Sequence, residues 1–495
     1  MRHSMSMSDV MICDITMDSR QVKPGDLFIA VPGLTVDGRD YIEKAIEKGA
    51  VAVLAEYDAL FSTALKKKNI PVIAIPHLQK IVGYIAGRFF SDPAKKMPVI
   101  GITGTSGKTS ISHFIAQILS YCHKSCGIIG TLGAGILDAT LLPLEGTTPD
   151  AIAVHRILST LQKQGAAAVA MEVTSHALDQ HRVAGVIFDT VVFSNLTHDH
   201  LDYHDNMEAY GAAKRKLFTE FESKNKIINL DDKFGFDLFR DLKKLFPEKN
   251  IIGYGVEIPS NPPFSKWGIS ASSVVLDHHG IRAHVKTPWG EGELKCGLIG
   301  QFNLSNLLAA IAAVCIQDVP LQQVLEAIEY IQTIPGRMMR VKTTLAEPAV
   351  IIDYAHKPDA LAQVLEALRA HCAGKLWCVV GCGGDRDWAK RPLMAEIGER
   401  LSDHLYLTQD NPRTEDPKEI MNDMLKGIKK REKVVVEYNR QQAIELAISN
   451  AKPEDVVLIA GKGHETYQII GTEKIAFSDQ KIAEAALQRR STCVL

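Results

Sequence analysis

The stretch GTSGKTS, Gly104–Ser110, has the composition of a phosphate-binding loop at a shortened spacing. The common nucleotide-binding loop places about four residues between its first glycine and Gly-Lys; here only Thr105 and Ser106 stand between Gly104 and Gly107-Lys108. Glycines let backbone N–H groups turn toward an anion, and a helix that starts there adds a favourable dipole. In such a loop Lys108 reaches the terminal phosphates and the Thr109 hydroxyl ligates Mg²⁺. Gly104, Thr105, Ser106, Gly107, Lys108, Thr109 and Ser110 are thus the expected ATP-binding set.

Two further stretches supply groups for the same chemistry. MEVTSHALDQHRV places Glu172 at the end of an apolar run, and NLTHDHLDYH places His200 after the next one. A carboxylate, a histidine and a phosphate loop on one edge of a sheet make a Mg²⁺–ATP centre. Position alone also fits two surface polar residues. The adjacent His-Asp pair in HDHLDYH also fits a two-metal phosphohydrolase, which leaves the phosphate loop unexplained. Lys214, in YGAAKRKLF, reads by itself as one of three basic residues on a solvated helix face.

These residues need elements to hold them. PVIGIT is an apolar strand that runs into the loop, and SISHFIAQILSYC follows with Ile111, Phe114, Ile115, Ile118 and Leu119 on one helical face. DAIAVHRILSTLQKQG reads as a helix, and AAVAMEV and FDTVVFSNL as strands. Helices are expected over 304–316 and 321–331, and Pro335-Gly336 breaks the pattern. Beyond it, AVIIDYA, LWCVVG, HLYLT, KVVVEY and DVVLIA alternate with helix-length amphipathic segments, as in an open, mostly parallel sheet. The N-terminal part is a smaller α/β unit with strands DLFIAV, AVAVLAE and PVIAIP, and SDPAKKMP is the linker candidate. The expected division is 1–95, 96–335 and 336–495.

The composition is that of a soluble globular protein, 46% hydrophobic and 23% charged. A net charge of −2 gives no footprint for nucleic acid or a membrane surface, so an acidic ligand must be met by local positive sites. Nine scattered cysteines fit reduced thiols in the cytoplasm. Cys122, His123 and Cys126 lack the second ligand pair of a zinc site. Neither a signal peptide nor an apolar run of ~18 residues is visible, and a cytoplasmic monomer is expected.

The motifs GTSGKTS, MEVTSHAL, NLTHDHLDYH, GQFNLSN and IIDYAHKPDAL occur in the order found in Mur ligases, and the chain resembles that family from DSRQVKPGDLFIAVPG to GKGHETYQ. The resemblance implies an α/β, three-domain architecture: a UDP-substrate-binding domain, a central P-loop-type ATPase and a C-terminal Rossmann-like domain. It implies an ATP-dependent, amide-forming ligase of peptidoglycan synthesis. GCGGDRD and DNPRTEDP resemble the branch that adds meso-diaminopimelate to a UDP-MurNAc-dipeptide. An L-lysine-adding ligase, a folylpolyglutamate synthetase and a nucleotide switch without ligase activity are the alternatives. The short loop is the family's own form. Ser106, Ser110, Thr174 and Lys357 depart from the residues most usual there.

By resemblance, Lys108, Glu172, His200 and Lys214 are catalytic. Thr109, Glu172, His200 and Lys214 serve metal positions, with Lys214 bearing a CO₂-derived carbamate. Asn303 and Arg337 join the nucleotide site, and Asp353 and His356 line the same cleft. Ser19, Leu34, Thr35 and Val36 match UDP-binding positions, while Thr147, Thr148, Thr174, Gln180 and Arg182 match those that hold the muramoyl-peptide. Arg386, Asp410, Asn411, Pro412, Arg413, Gly461 and Glu465 match the amino-acid site. DNP is also ordinary turn chemistry, and TTPD an ordinary helix start.

Overall fold

The computed structural model describes residues 10–33, 36–58, 70–137, 139–200, 203–256, 268–277, 279–334, 336, 338–341 and 347–493. The chain divides into two units, 1–269 with 309–319, and 270–308 with 320–495.

The first unit opens with four parallel strands in sequence order: Ile15–Thr16, Leu27–Ala30, Ala52–Glu56 and Val72–Ile75. Seven further strands follow in the spatial order Asn250–Gly255, Ser223–Asn229, Phe188–Phe193, Val99–Thr103, Ala168–Glu172, Cys126–Gly130 and Gly133–Ile136. All run parallel except the last, which returns as a hairpin. The central strands are continuous apolar runs because helices cover both faces. The helix Lys108–Tyr121 buries Ile111, Phe114, Ile115, Ile118 and Leu119, the face its spacing predicts.

Parallel pairing decides where the chemistry sits. Ile102 is in register with Glu172, and Thr103 with Phe193. The loop after Thr103, the carboxylate of Glu172 and the segment after Phe193 therefore leave the sheet at one edge. The helices Leu78–Phe89 and Ala151–Lys163 pack together, and Arg156 reaches Asp14 (2.6 Å) and the Ile15 carbonyl (2.8 Å). The segment 91–98, read as a linker, is pinned, with Pro93 and Met97 buried.

The second unit carries an antiparallel series, Gly268–Asp277 (from residue 270), Gly280–Thr287 and Gly290–Cys296, that the sequence reading did not anticipate. Its six-stranded sheet has the order Met339–Arg340, Ala349–Asp353, Val456–Ala460, Leu376–Cys382, His404–Gln409 and Val434–Val436, parallel but for the first pair. KVVVEY contributes only its three valines to this sheet.

The edge of this second sheet is tied by a fully buried ion pair. Arg440 donates to Asp479 through Nε and Nη2 (both 2.8 Å), and also to the Gln409 (3.3 Å) and Ala460 (2.9 Å) carbonyls at two strand ends. Removing one partner of a buried pair strands the other charge. Asp479→Ala is expected to cost about 3–5 kcal/mol. Urea denaturation should show the transition at lower denaturant; an unchanged transition would contradict the assignment.

Candidate active site

The phosphate loop is shaped by two glycines in left-handed conformations, Gly104 (φ 147°) and Gly107 (φ 87°). A Cβ at Gly104 would collide with the Ser194 hydroxyl, so only glycine fits. The loop is strapped to the segment after Phe193. The Ser106 carbonyl accepts from Ser194 Oγ (2.6 Å) and Asn195 Nδ2 (3.1 Å), and the Ser106 N–H donates to Asn195 Oδ1 (2.9 Å). The helix begins at Lys108, so its unpaired N–H groups open at the loop.

Two lysines converge on one carbonyl oxygen. Lys108 Nζ donates to Gly104 O (2.8 Å) and Thr105 O (2.9 Å), and Lys214 Nζ donates to the same Gly104 O (2.8 Å). Lys214 is buried on the helix Met207–Thr219, with Nζ 4.4 Å from the centre of the Tyr210 ring. Burial, with the Lys108 charge beside it, pushes the Lys214 pKa down to about 6. Lys108 is also lowered by burial, against the pull of Glu172 and Asp199. Lys214 therefore presents a neutral, nucleophilic amine near pH 7.

Glu172 is buried at the end of its strand. Oε1 accepts from the Thr131 N–H (2.8 Å), and Oε2 from the hydroxyls of Thr109 (3.0 Å) and Thr131 (3.2 Å). Burial raises its pKa, and these donors with Lys108 oppose the rise. The sequence reading placed Glu172 but missed Thr131, which follows the neighbouring strand. It also missed Asn195 and Tyr210; the Tyr210 hydroxyl lies 3.2 Å from Thr105 Oγ1.

His200 sits farther out. It has a positive φ of 53°, its ring is half-exposed, and Nε2 is 3.5 Å from Asp199. Its ring meets His176 edge-on at 4.9 Å. Among the described residues no three His, Cys, Asp or Glu side chains form a ready metal cluster. The oxygen pair of Thr109 and Glu172 at the mouth of a phosphate loop does suit Mg²⁺, which keeps water and phosphate oxygens as its other ligands.

Two cavities lie in the same unit as the phosphate loop. One cavity of about 570 Å³ is lined by Ser19, Arg20, Val36, Asp150 and Arg156. A second, of about 560 Å³, is lined by Leu144, Gln180, His181 and Arg182. Met17, Gln21, Glu145 and Asp150 border both. Arg182 holds Gln180 Oε1 (2.6 and 2.9 Å) and the Thr148 carbonyl (3.0 Å). Thr148 Oγ1 donates to the Glu172 carbonyl (2.9 Å), Thr147 Oγ1 lies 3.1 Å from Thr131 Oγ1, and Thr174 caps the helix Ser175–Asp179. Leu34, Thr35 and Arg337 lie outside the described residues.

In the second unit a separate cluster forms at the carboxyl edge. Asp353 accepts from the N–H groups of Met338 (2.7 Å) and Ala355 (2.8 Å), and His356 Nδ1 is 2.8 Å from the Tyr354 carbonyl. Asn303 Nδ2 donates to the Ile299 carbonyl (2.8 Å). Arg413, at φ 53°, donates to the Gly384 carbonyl (2.7 Å), and Arg386 is exposed. Pro412 is buried, and a Cβ on Gly461 would press on the Asp410 carboxylate. Asn411 Nδ2 donates to Glu465 Oε2 (3.1 Å). Lys462, absent from the sequence reading, lies buried among these groups.

Matches to known proteins cover nearly all of the chain. Residues 12–89 match the description "Mur ligase family, catalytic domain", residues 102–314 "Mur ligase middle domain", and residues 336–463 "Mur ligase, glutamate ligase domain". The UDP-N-acetylmuramoyl-L-alanyl-D-glutamate–2,6-diaminopimelate ligase of Coxiella burnetii is 44% identical over 480 residues, 97% of this chain and 96% of that one. The Pseudomonas aeruginosa protein of that name is 47% identical over 479 residues, with the same shares covered. A solved structure of a ligase of that name superposes with a TM-score of 0.79 at 33% identity, covering 97% of this chain and 95% of that one.

The buried amine of Lys214 has a signature in stability. Between about pH 6 and 10.5 the unfolded chain holds a proton on this lysine that the folded chain lacks, so stability rises with pH across that window. The cost is full below the window and absent above it. In CO₂-free buffer, Lys214→Met should be stabilised relative to the native protein, by a margin that shrinks as pH rises from about 6.5 to 9.5. Denaturation midpoints across that range check this; a constant margin would contradict the buried neutral amine.

Proposed function

This chain belongs to the Mur ligase family, and from that membership we propose that it joins diaminopimelate to UDP-N-acetylmuramoyl-L-alanyl-D-glutamate at the expense of ATP. One observation carries the placement of the chemistry. Arg182, which lines the second cavity, donates to the Thr148 carbonyl; the Thr148 hydroxyl bonds the backbone of Glu172, and the side chain of Glu172 bonds Thr109 in the phosphate loop. This chain of contacts supports a substrate that lies in these cavities and presents its carboxylate to the phosphate loop.

Amide formation needs this meeting because carboxylate oxygen is a poor leaving group. An oxygen of the substrate carboxylate attacks the γ-phosphorus, the bond to ADP breaks, and an acyl phosphate forms. The neutral amine of diaminopimelate then attacks the carbonyl carbon. The C–O bond breaks, phosphate departs with its electron pair, and the nitrogen loses a proton to give the amide. The protein contributes positioning and charge neutralisation.

Lys108 swings from the Gly104 and Thr105 carbonyls to the phosphates. Thr109 and Glu172 would hold Mg²⁺, with His200 at a second position, and the ion would supply positive charge to the phosphate oxygens. Thr131 fixes the Glu172 carboxylate. Lys214, neutral in its buried site, adds CO₂ through its lone pair and loses a proton. The resulting carbamate is an anionic oxygen ligand where an ammonium would repel a metal. Ser19, Leu34, Thr35 and Val36 hold the uridine end; Thr147, Thr148, Thr174, Gln180 and Arg182 hold the peptide. Asn303, Arg337, Asp353 and His356 serve the nucleotide. The work divides among three regions, 1–95, 96–335 and 336–495, in a monomer of the cytoplasm.

The amino acid is met by Arg386, Asp410, Asn411, Pro412, Arg413, Gly461 and Glu465. Diaminopimelate differs from lysine by a second carboxylate at its far end, and the planar Arg413 guanidinium binds such a group bidentately. Charge-assisted pairs of this kind contribute about 1.5–3 kcal/mol, roughly ten- to a hundredfold in selectivity. A ligase assay with the UDP-dipeptide, ATP and a panel of amino acids should show strong preference for meso-diaminopimelate over L-lysine. Arg413→Ala should lose that preference while retaining ATP binding. Equal use of both amino acids by the native enzyme would refute this reading.

A further inference from the structure

Lys462 is fully buried between two glycines in left-handed conformations, Gly461 (φ 113°) and Gly463 (φ 55°). Its Nζ donates to Glu465 Oε2 (2.9 Å) and Asn411 Oδ1 (3.0 Å), and lies 4.0 Å from Asp410 Oδ1. The Ile469 N–H also donates to Asn411 Oδ1 (2.9 Å). These two donors fix which way the Asn411 amide faces, so its Nδ2 points to Glu465 Oε2 (3.1 Å). Both donors to Glu465 land on one oxygen, which sets the direction of the other.

The charges around Lys462 do not cancel. Asp410 and Glu465 bring two carboxylates against one ammonium. Arg440, the next cation, is matched by Asp479. The Tyr467 ring lies 5.8 Å from Nζ. Burial raises the Asp410 pKa, while Arg440 and Lys462 pull it down.

We propose that Lys462 is a positioning residue for the incoming amino acid, orienting Asn411 and Glu465 and cancelling one of two carboxylate charges so that a single negative charge remains for a substrate ammonium. The proposal rests on the reading that Asn411, Arg413 and Glu465 face the amino acid. A lysine that only braced the loop would leave the charge count irrelevant. Without Lys462 only Arg440, already paired with Asp479, opposes the burial of Asp410, so that carboxylate takes up a proton that leaves as pH rises.

Steady-state kinetics of full-length Lys462→Met test this. The KM for diaminopimelate should rise about tenfold or more while the KM for ATP stays within about twofold. The diaminopimelate KM should also fall more steeply as pH rises from about 6 to 8 than it does in the native enzyme. Adding Asp410→Asn leaves one carboxylate and should flatten that profile. The double variant, free of the unpaired carboxylate, also serves if Lys462→Met does not fold. An unchanged diaminopimelate KM, an equal rise in the ATP KM, or a pH dependence in Lys462→Met no steeper than the native one would overturn the proposal, as would a double variant that retained the steeper slope. Glu465→Ala separates the two layers. An unchanged diaminopimelate KM there would remove the amino-acid pocket itself. A raised KM there, with none in Lys462→Met, would overturn the role of Lys462 alone.

Discussion

The carbonyl oxygen of Gly104 accepts from two lysines, and the arrangement of the catalytic edge follows from that convergence. Two ammonium groups at one acceptor in a buried site repel each other, and the one without the Glu172 charge beside it gives up its proton. Lys214 is that one, so a residue that looks like a surface cation becomes a neutral amine. The geometry requires a glycine whose backbone is pressed against Ser194, a loop strapped by Asn195, and a helix that brings Lys214 in over Tyr210. A chain with a net charge of −2 needs local arrangements of this kind to receive an anionic nucleotide.

The two units use the same sheet logic for different partners. Parallel strands release their carboxyl ends at one edge, and in each unit that edge gathers the polar groups. In the first unit it gathers the phosphate loop, Thr131 and Glu172, which Thr148 ties to Arg182. In the second it holds Asp410, Asn411, Lys462 and Glu465, tied from below by the Arg440–Asp479 pair. Each polar cluster is internally bonded, as low dielectric demands of buried polar groups.

Much of this was legible in the sequence. The loop, its helix face and the strand ends at Glu172 and Asp353 follow from apolar periodicity and glycine placement. The family motifs then named Lys214, Asn411 and Arg413. What stayed hidden were the partners brought in by pairing between distant strands. Thr131 reaches Glu172 because their strands are neighbours, and Tyr210 reaches Thr105 across about a hundred residues of chain. Lys462 gave no signal because nothing in GKGHE distinguishes a buried lysine from an exposed one. The antiparallel strands of 270–296 lay between polar turns and lacked the continuous apolar runs that marked the others.

The neutral amine of Lys214 and its carbamate are tested most directly by ¹³C NMR of the protein equilibrated with ¹³C-bicarbonate near neutral pH. The expected result is a carbamate carbon resonance that is lost in Lys214→Ala. The contradictory result is no such resonance in the native protein, or one that persists unchanged in Lys214→Ala.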